Sequence, residues 1–255
     1  MIAINNIDDL INYILKKFNN SKPTLIATDL DGTLTIDRNS YRLDLEAMEI
    51  LRELNTMGIS ICIASAADFQ TVSAISKYIV SSNIFIAENG CIAFDGYSII
   101  EIAKRSTDDI VKEILERFAL KEPLNNRFRL YDKALLIPSN IDPKEIEGIA
   151  RYIEDRYPYV KVRYSGYALH ITPKECSKGR ALEVLAIRRG IDLSRAIAIG
   201  DSEVDIDMLK AVGIGIAVGD ADEKLKKIAD VVIDQKASSA SKILFKAIKS
   251  ILSLI

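Results

Sequence analysis

Two carboxylates stand two residues apart at the end of an apolar run, in Leu25-Ile-Ala-Thr-Asp29-Leu-Asp31-Gly32-Thr33-Leu34. Side chains alternate along a strand with period two, so Asp29 and Asp31 point the same way where the strand gives out. Gly32 permits a sharp turn there. Two acids beside a turn with free N–H groups suit a cation together with an anionic substrate. A core strand followed by a solvated acidic turn is the simpler alternative. A calcium loop fits less well, because an EF-hand needs a preceding helix, further oxygen ligands and a late Glu. Here an apolar strand precedes the acids, and Asp37-Arg38-Asn39 does not complete the ligand series.

Three more chemical features follow or adjoin apolar runs. Ser65 succeeds Ile61-Cys-Ile-Ala64, and Gly200-Asp201-Ser202-Glu203-Val204-Asp205 succeeds Ala196-Ile-Ala-Ile199. Lys178-Gly179 opens a helix just upstream of that second run. If the sheet is parallel, these groups converge at one edge. Such a site holds carboxylates for a divalent cation, a hydroxyl and N–H groups for an anion, and one Lys. That is the inventory of phosphoryl transfer, in which positioning and charge neutralisation supply most of the catalysis.

The elements that must position these groups read as alternating strands and helices. An amphipathic helix over residues 4–20 precedes the Lys22-Pro23 break. Strand 24–29, helix 43–57, strand 59–64, helix 68–80 and strand 84–87 follow. Helix 178–190, strand 196–200, helix 203–211, strand 214–217, helix 222–228, strand 231–233 and helix 238–252 complete the pattern. Short apolar strands between amphipathic helices predict a parallel α/β sheet covered on both faces. The middle differs. Ile92–Phe94 and Ser98–Ile102 flank Asp95-Gly96 as a hairpin. Helix 107–119, strand 133–137, a helix from Pro143 to Tyr157, and strands 159–164 and 167–172 joined around Ser165-Gly166 then read as a smaller α+β unit. The expected layout is an N-terminal helical extension (1–23), a core (24–103 and 170–255) and an inserted domain (104–169).

Composition bounds the function. The 255 residues include 34 Lys+Arg against 36 Asp+Glu, and 49% are hydrophobic. No basic patch argues for nucleic acid, and no run of about 20 apolar residues can cross a bilayer. Cys62, Cys91 and Cys176 are far apart, with no C-x-x-C pair, which points to small buried hydrophobes in a reducing, cytoplasmic setting. Forty Ile and only two Gln hint at a thermophilic source. Monomer and homodimer both stay open.

In the order Asp29-Leu-Asp31-Gly-Thr33, Ser65, Lys178 and Gly200-Asp201-Ser202-Glu203-Val204-Asp205, the chain resembles the haloacid dehalogenase (HAD) superfamily of phosphatases. The α+β insert between Ser65 and Lys178, together with Asn89-Gly90, resembles the Cof-type branch with a type IIB cap. Within it, Ser165-Gly-Tyr-Ala-Leu-His170-Ile is similar to archaeal phosphoglycolate phosphatases. The resemblance implies a Rossmann-like core under a cap and a small phosphorylated metabolite as substrate, 2-phosphoglycolate first and a sugar or polyol phosphate second. A phosphomutase or phosphotransferase of the same superfamily is a further alternative. It also implies Asp29 as nucleophile, Asp31 as general acid and base, and Mg²⁺ held by Asp29, Asp31 through its carbonyl, Asp201 and Asp205. Thr33, Ser65, the Ala66 N–H and Lys178 would hold the phosphoryl oxygens.

Four features depart from that pattern, one of them Asp234-Gln-Lys-Ala-Ser-Ser in place of a Gly-containing loop after the last core strand. Ala66 stands where Gly is frequent, Val204 where Asn is frequent, and Asp220 where Asn is frequent. His170, the single histidine, reads first as a strand residue near the junction of the two domains and second as a substrate contact. Arg129, Tyr131, Arg163 and Tyr164 are candidates for meeting a substrate carboxylate, against the plainer reading of surface or packing residues.

Overall fold

In the computed structural model, which describes residues 2–138, 141–164 and 168–254, two sheets organise the chain. The first half contributes β1 (Ile2–Ile4), β2 (Leu25–Thr28), β3 (Ser60–Ala64), β4 (Ile84–Ala87), β5 (Ile92–Phe94) and β6 (Ile99–Glu101). The insert contributes β7 (Lys133–Leu136), β8 (Val160–Tyr164) and β9 (Ala168–Pro173). The last part contributes β10 (Ala196–Gly200), β11 (Ile214–Val218) and β12 (Val231–Ile233). The large sheet has the order β1-β12-β11-β10-β2-β3-β4-β5-β6. It is parallel from β1 to β4, and β5 and β6 add an antiparallel edge. Every residue of β2, β4, β10 and β11 is buried. These continuous apolar runs work only in a sheet covered on both faces.

The covering helices are α1 (Ile7–Lys17), α2 (Leu45–Thr56), α3 (Phe69–Ala74), then α4 (Asp108–Arg117) and α5 (Pro143–Arg156) in the insert. α6 (Lys178–Arg189), α7 (Ile206–Lys210), α8 (Glu223–Ile228) and α9 (Ala237–Leu254) follow. From β2 the chain steps to β3, and from β10 it steps the opposite way to β11. Right-handed crossovers therefore put α2 on one face and α7 on the other, and α9 packs with α1 and α2 while α6 packs with α7. The reversal between β2 and β10 leaves a crevice beyond their carboxyl ends, where open α/β sheets bind ligands.

The insert is a three-stranded antiparallel sheet of order β7-β9-β8 with α4 and α5 on one side. Leu135, Val160, Leu169 and Ile171 bury themselves against Ile114 and Ile149 of those helices, a core separate from that of the large sheet.

Local details depart from expectation. The first helix begins at Ile7 rather than residue 4, with Asn6 accepting the Asp9 N–H as its cap. Ile2–Ile4 instead pair in parallel with Val231–Ile233, so the segment expected as a helical extension also lengthens the core sheet. Two β-branched residues beside an open strand edge gain more from pairing than from one further helical turn. The helix expected over 68–80 changes to π winding at Ile75–Val80. β9 runs to Pro173, past the expected domain boundary at 169. The turn around Ser165-Gly166 lies outside the described residues.

Candidate active site

β10, β2 and β3 are neighbours, and the chemistry sits where they end. Asp29 follows β2, with its N–H donating to Ile199 O at 3.0 Å. Ser65 follows β3, and Asp201 follows β10. Lys178 enters from the first turn of α6, whose cap is Ser177. Gly90 has φ of +88°, and a Cβ there would lie 2.1 Å from Ser177 O, so only glycine lets the end of β4 approach the start of α6 this closely.

Lys178 is 1% exposed and bridges two carboxylates. Its Nζ lies 2.5 Å from Asp29 Oδ1 and 2.6 Å from Asp205 Oδ1. Burial alone would lower its pKa, but the Asp205 and Asp29 carboxylates outweigh this and push it up, so the ammonium stays charged. Asp205 Oδ2 accepts the N–H groups of Asp201 and Ser202, each at 3.1 Å. Both Asp205 oxygens are thus engaged by the protein. Asp29, Asp201 and Asp205 offer carboxylate oxygens that lie within 4.8 Å of one another. The donor set is all oxygen and carries more negative charge than Lys178 neutralises, which fits a hard cation of the Mg²⁺ type.

The electrostatics agree. Burial raises the Asp29 pKa well above its ordinary value; Lys178 opposes this, while Asp205, Asp201 and Asp31 reinforce it. Burial and Asp205 push Asp201 up to about 7, against the pull of Arg38 and Lys178. Asp31 stands exposed at the mouth, yet surrounding protein still raises its pKa, with Lys178 acting the other way.

Among the residues expected to meet an anion, the Thr33 hydroxyl is buried and has no hydrogen-bond partner among the described residues. Ser65 Oγ accepts the Ala67 N–H at 3.0 Å, which leaves its own proton free to donate. Ala66 is absent from the positive-φ residues, so alanine is tolerated there, and its N–H has no acceptor among the described residues. The Asp220 carboxylate accepts the Ala237 N–H at 3.0 Å.

Two residues escaped the sequence reading. Arg38 places Nε 2.6 Å from Asp201 Oδ2 and Nη2 3.0 Å from Asp222 Oδ1. Glu88, fully buried with φ of +50°, accepts N–H groups from Leu130 at 2.9 Å, Tyr131 at 2.8 Å and Asp132 at 3.1 Å. Asn89 donates its N–H to Ser65 O at 3.2 Å and its side-chain amide to Asp132 Oδ2 at 3.1 Å. The insert is therefore docked beside Ser65 as a cap. Only the acidic end of Glu88-Asn89-Gly90 at a strand terminus signalled this.

The other cap candidates separate. Arg129 is buried and paired with Asp132 at 2.8 Å. Tyr131 packs on Cys91 and Cys176 at the junction, and burial together with the neighbouring Glu101 raises its pKa. Tyr164 lines a groove with Pro143 and Ile146 on the helical side of the cap. His170 Nδ1 lies 3.3 Å from Asp132 Oδ2, and Arg163 is exposed beside it in the sheet register.

Comparison with known proteins supports this architecture. A family model for haloacid dehalogenase-like hydrolases matches residues 26–140 and 119–241. A Staphylothermus marinus phosphoglycolate phosphatase is 38% identical, covering 82% of this chain and 90% of its own. A phosphoglycolate phosphatase from Sulfolobus acidocaldarius is 34% identical, covering 85% and 92%. A crystal structure of a Thermoplasma acidophilum protein aligns with a TM-score of 0.78 at 26% identity, covering 90% of this chain and 99% of that one. With its four-part strand-end constellation, its inserted cap and these matches, the chain belongs to the haloacid dehalogenase-like hydrolases.

Proposed function

We propose that the protein is a Mg²⁺-dependent phosphomonoesterase acting through an aspartyl-phosphate, with 2-phosphoglycolate as its substrate. The observation that carries the mechanism is the grip of Lys178 on Asp29 Oδ1 at 2.5 Å. It holds the carboxylate in one orientation, and Oδ2 has no hydrogen-bond partner among the described residues. Asp29 attacks the phosphorus, a P–O(carboxyl) bond forms, and the ester P–O bond breaks. Asp31 gives its proton to the departing alkoxide; its raised pKa helps it carry one. In the second half, water attacks the same phosphorus, Asp31 takes the water's proton, and Asp29 is regenerated as inorganic phosphate leaves. Ser65 Oγ, the Ala66 N–H and the Thr33 hydroxyl donate to the phosphoryl oxygens, and Lys178 offsets their charge. Mg²⁺, held by Asp29, Asp201 and the Asp31 carbonyl with Asp205 orienting the set, would neutralise charge that builds on the phosphoryl group. The closed cap excludes bulk water from the acyl phosphate.

The substrate rests on the relatives named phosphoglycolate phosphatase at 34% and 38% identity. Phosphate release is to be measured across p-nitrophenyl phosphate, 2-phosphoglycolate and common sugar phosphates, with Mg²⁺ and with EDTA. Mg²⁺-dependent release led by phosphoglycolate supports both parts of the reading. Release led by a sugar phosphate keeps the chemistry and replaces the substrate. No release from any ester rejects the hydrolase mechanism.

A further inference from the structure

Alternation along the cap strands gives their sheet two unlike faces. Leu135, Val162, Leu169 and Ile171 face the cap helices. The residues between them, Lys161, Arg163, His170 and Thr172, occupy the other face. That face is turned toward the core at its junction end. Lys161 Nζ donates to Cys176 O at 2.5 Å, two residues before Lys178. Thr172 Oγ1 donates to Asp132 Oδ1 at 2.5 Å, and Asp132 is bonded to Asn89 beside Ser65. The open face therefore begins next to the phosphoryl-binding residues on both sides and extends outward above them.

The charges on this face do not balance. Its carboxylate, Asp132, is already paired with Arg129. Asp132 also holds His170 through Nδ1, and Nε2 has no partner among the described residues. Arg163 stands directly opposite His170 across the β8–β9 pair, where facing side chains have Cβ atoms about 5 Å apart. It makes no ion pair among the described residues, and its place opposite His170 rather than its lack of a pair sets it apart. In the network behind this pair, Arg129 Nε and Asn89 Oδ1 are buried and have no partner among the described residues. A guanidinium without an ion pair beside an imidazole whose Nε2 is open, on the face above a phosphoryl site, suits a second anionic group on the same small molecule.

We infer that Arg163 and His170 form the subsite for the carboxylate of the substrate. Arg163 supplies a planar pair of donors matched to a carboxylate, and His170 supplies a third donor whose orientation Asp132 fixes. This assignment rests on the phosphomonoesterase reading above and adds to it the feature that discriminates a phosphorylated acid from a phosphorylated alcohol.

The test compares 2-phosphoglycolate with ethyl phosphate, which keeps the phosphate and two-carbon body but lacks the carboxylate. The ratio of kcat/KM for the two esters is measured in Mg²⁺-loaded wild type, Arg163→Gln, Arg163→Lys and His170→Gln. Direct binding of both esters to Asp29→Asn, with and without Arg163→Gln, is measured by calorimetry. A hydrogen-bonded charge on a bound carboxylate gives a loss of about ten- to a hundredfold. The ratio is expected to fall by that amount in Arg163→Gln, with the loss in KM for phosphoglycolate, and to recover in part in Arg163→Lys. The binding ratio in the Asp29→Asn background should fall in parallel. A ratio within twofold of wild type in Arg163→Gln overturns the subsite while leaving the phosphatase reading intact. An equal loss for both esters overturns it too. Absence of phosphate release from either ester by wild type rejects the phosphatase reading itself.

Discussion

Arg38 Nε lies 2.6 Å from Asp201 Oδ2, on a carboxylate assigned here to cation binding. The same guanidinium donates to Asp220 O at 2.9 Å and to Asp222 Oδ1 at 3.0 Å. It thereby ties the loop after β2 to the loop after β11 and partly neutralises Asp201. A fixed positive charge on that oxygen competes with any cation that uses it. Arg38→Gln should therefore bind Mg²⁺ more tightly, by up to roughly fivefold for a partly exposed pair. The metal-free variant should melt lower than metal-free wild type, because Asp201 loses a partner. Titration calorimetry and thermal melts check both; weaker Mg²⁺ binding in Arg38→Gln would show that Arg38 shapes the site rather than competing for it.

Asp201 sets a pH dependence whose sign follows from its raised pKa of about 7. An unfolded Asp titrates near 3.9. Between those values the folded, metal-free protein keeps a proton that the unfolded chain has lost. Ionising Asp201 in place therefore costs stability as pH rises from about 4 to 7. Asp29 moves in the same direction. EDTA-treated protein should show a falling Tm between about pH 4 and 7. Mg²⁺ should restore Tm most at the alkaline end, with protons released on binding. Tm values independent of pH in EDTA would contradict the assignment of these acids to one crowded site.

Lys178 is a structural cation as much as a chemical one. It is buried between Asp29 and Asp205, and Lys178→Met would leave two facing carboxylates uncompensated. Breaking a buried ion pair costs about 3–5 kcal/mol, so this variant should be inactive and markedly less stable. Asp29→Asn removes the proposed nucleophile while keeping an acceptor for Lys178. It should lose at least about 10³-fold in turnover and retain its circular dichroism spectrum. The pair of variants separates chemistry from folding, since only Lys178→Met should shift the melt by many degrees. Residual wild-type-like turnover in Asp29→Asn would exclude the nucleophile assignment.

Asp29, Asp31, Ser65, Lys178 and Asp201 were legible because each sits within a few residues of a strand end or helix start. Period-two alternation and a parallel sheet are enough to bring such positions together. Arg38 and Glu88 were not legible. Arg38 acts from an irregular loop whose course no periodicity encodes. Glu88 is defined by the cap residues it meets, Leu130 to Asp132, and that docking depends on two linkers whose geometry no local pattern fixes. Ile2–Ile4 failed for another reason: three residues adjoining an amphipathic helix carry too little alternation to announce a strand. The Asp220 departure from the family pattern was visible, but only the structure shows its carboxylate bound to the Ala237 N–H.

Glu88 gives the sharpest test of how the cap is held. Its two oxygens accept three successive N–H groups of the cap, from Leu130, Tyr131 and Asp132. It does so from a left-handed backbone position (φ +50°) that a bulky residue adopts at a cost. Glu88→Gln keeps the shape but turns one acceptor oxygen into an NH₂ group. At least one of the three donors then faces another donor, at a cost of about 1–3 kcal/mol. β7 begins at Lys133 and keeps its own ladder with β9, so the damage should be confined to the junction. Hydrogen exchange should show lost protection at Leu130, Tyr131 and Asp132 while Leu135 stays protected. KM for the preferred substrate should rise as the cap closes less often. Unchanged exchange at residues 130–132 would mean that the cap is held by the linkers alone, with Glu88 a bystander.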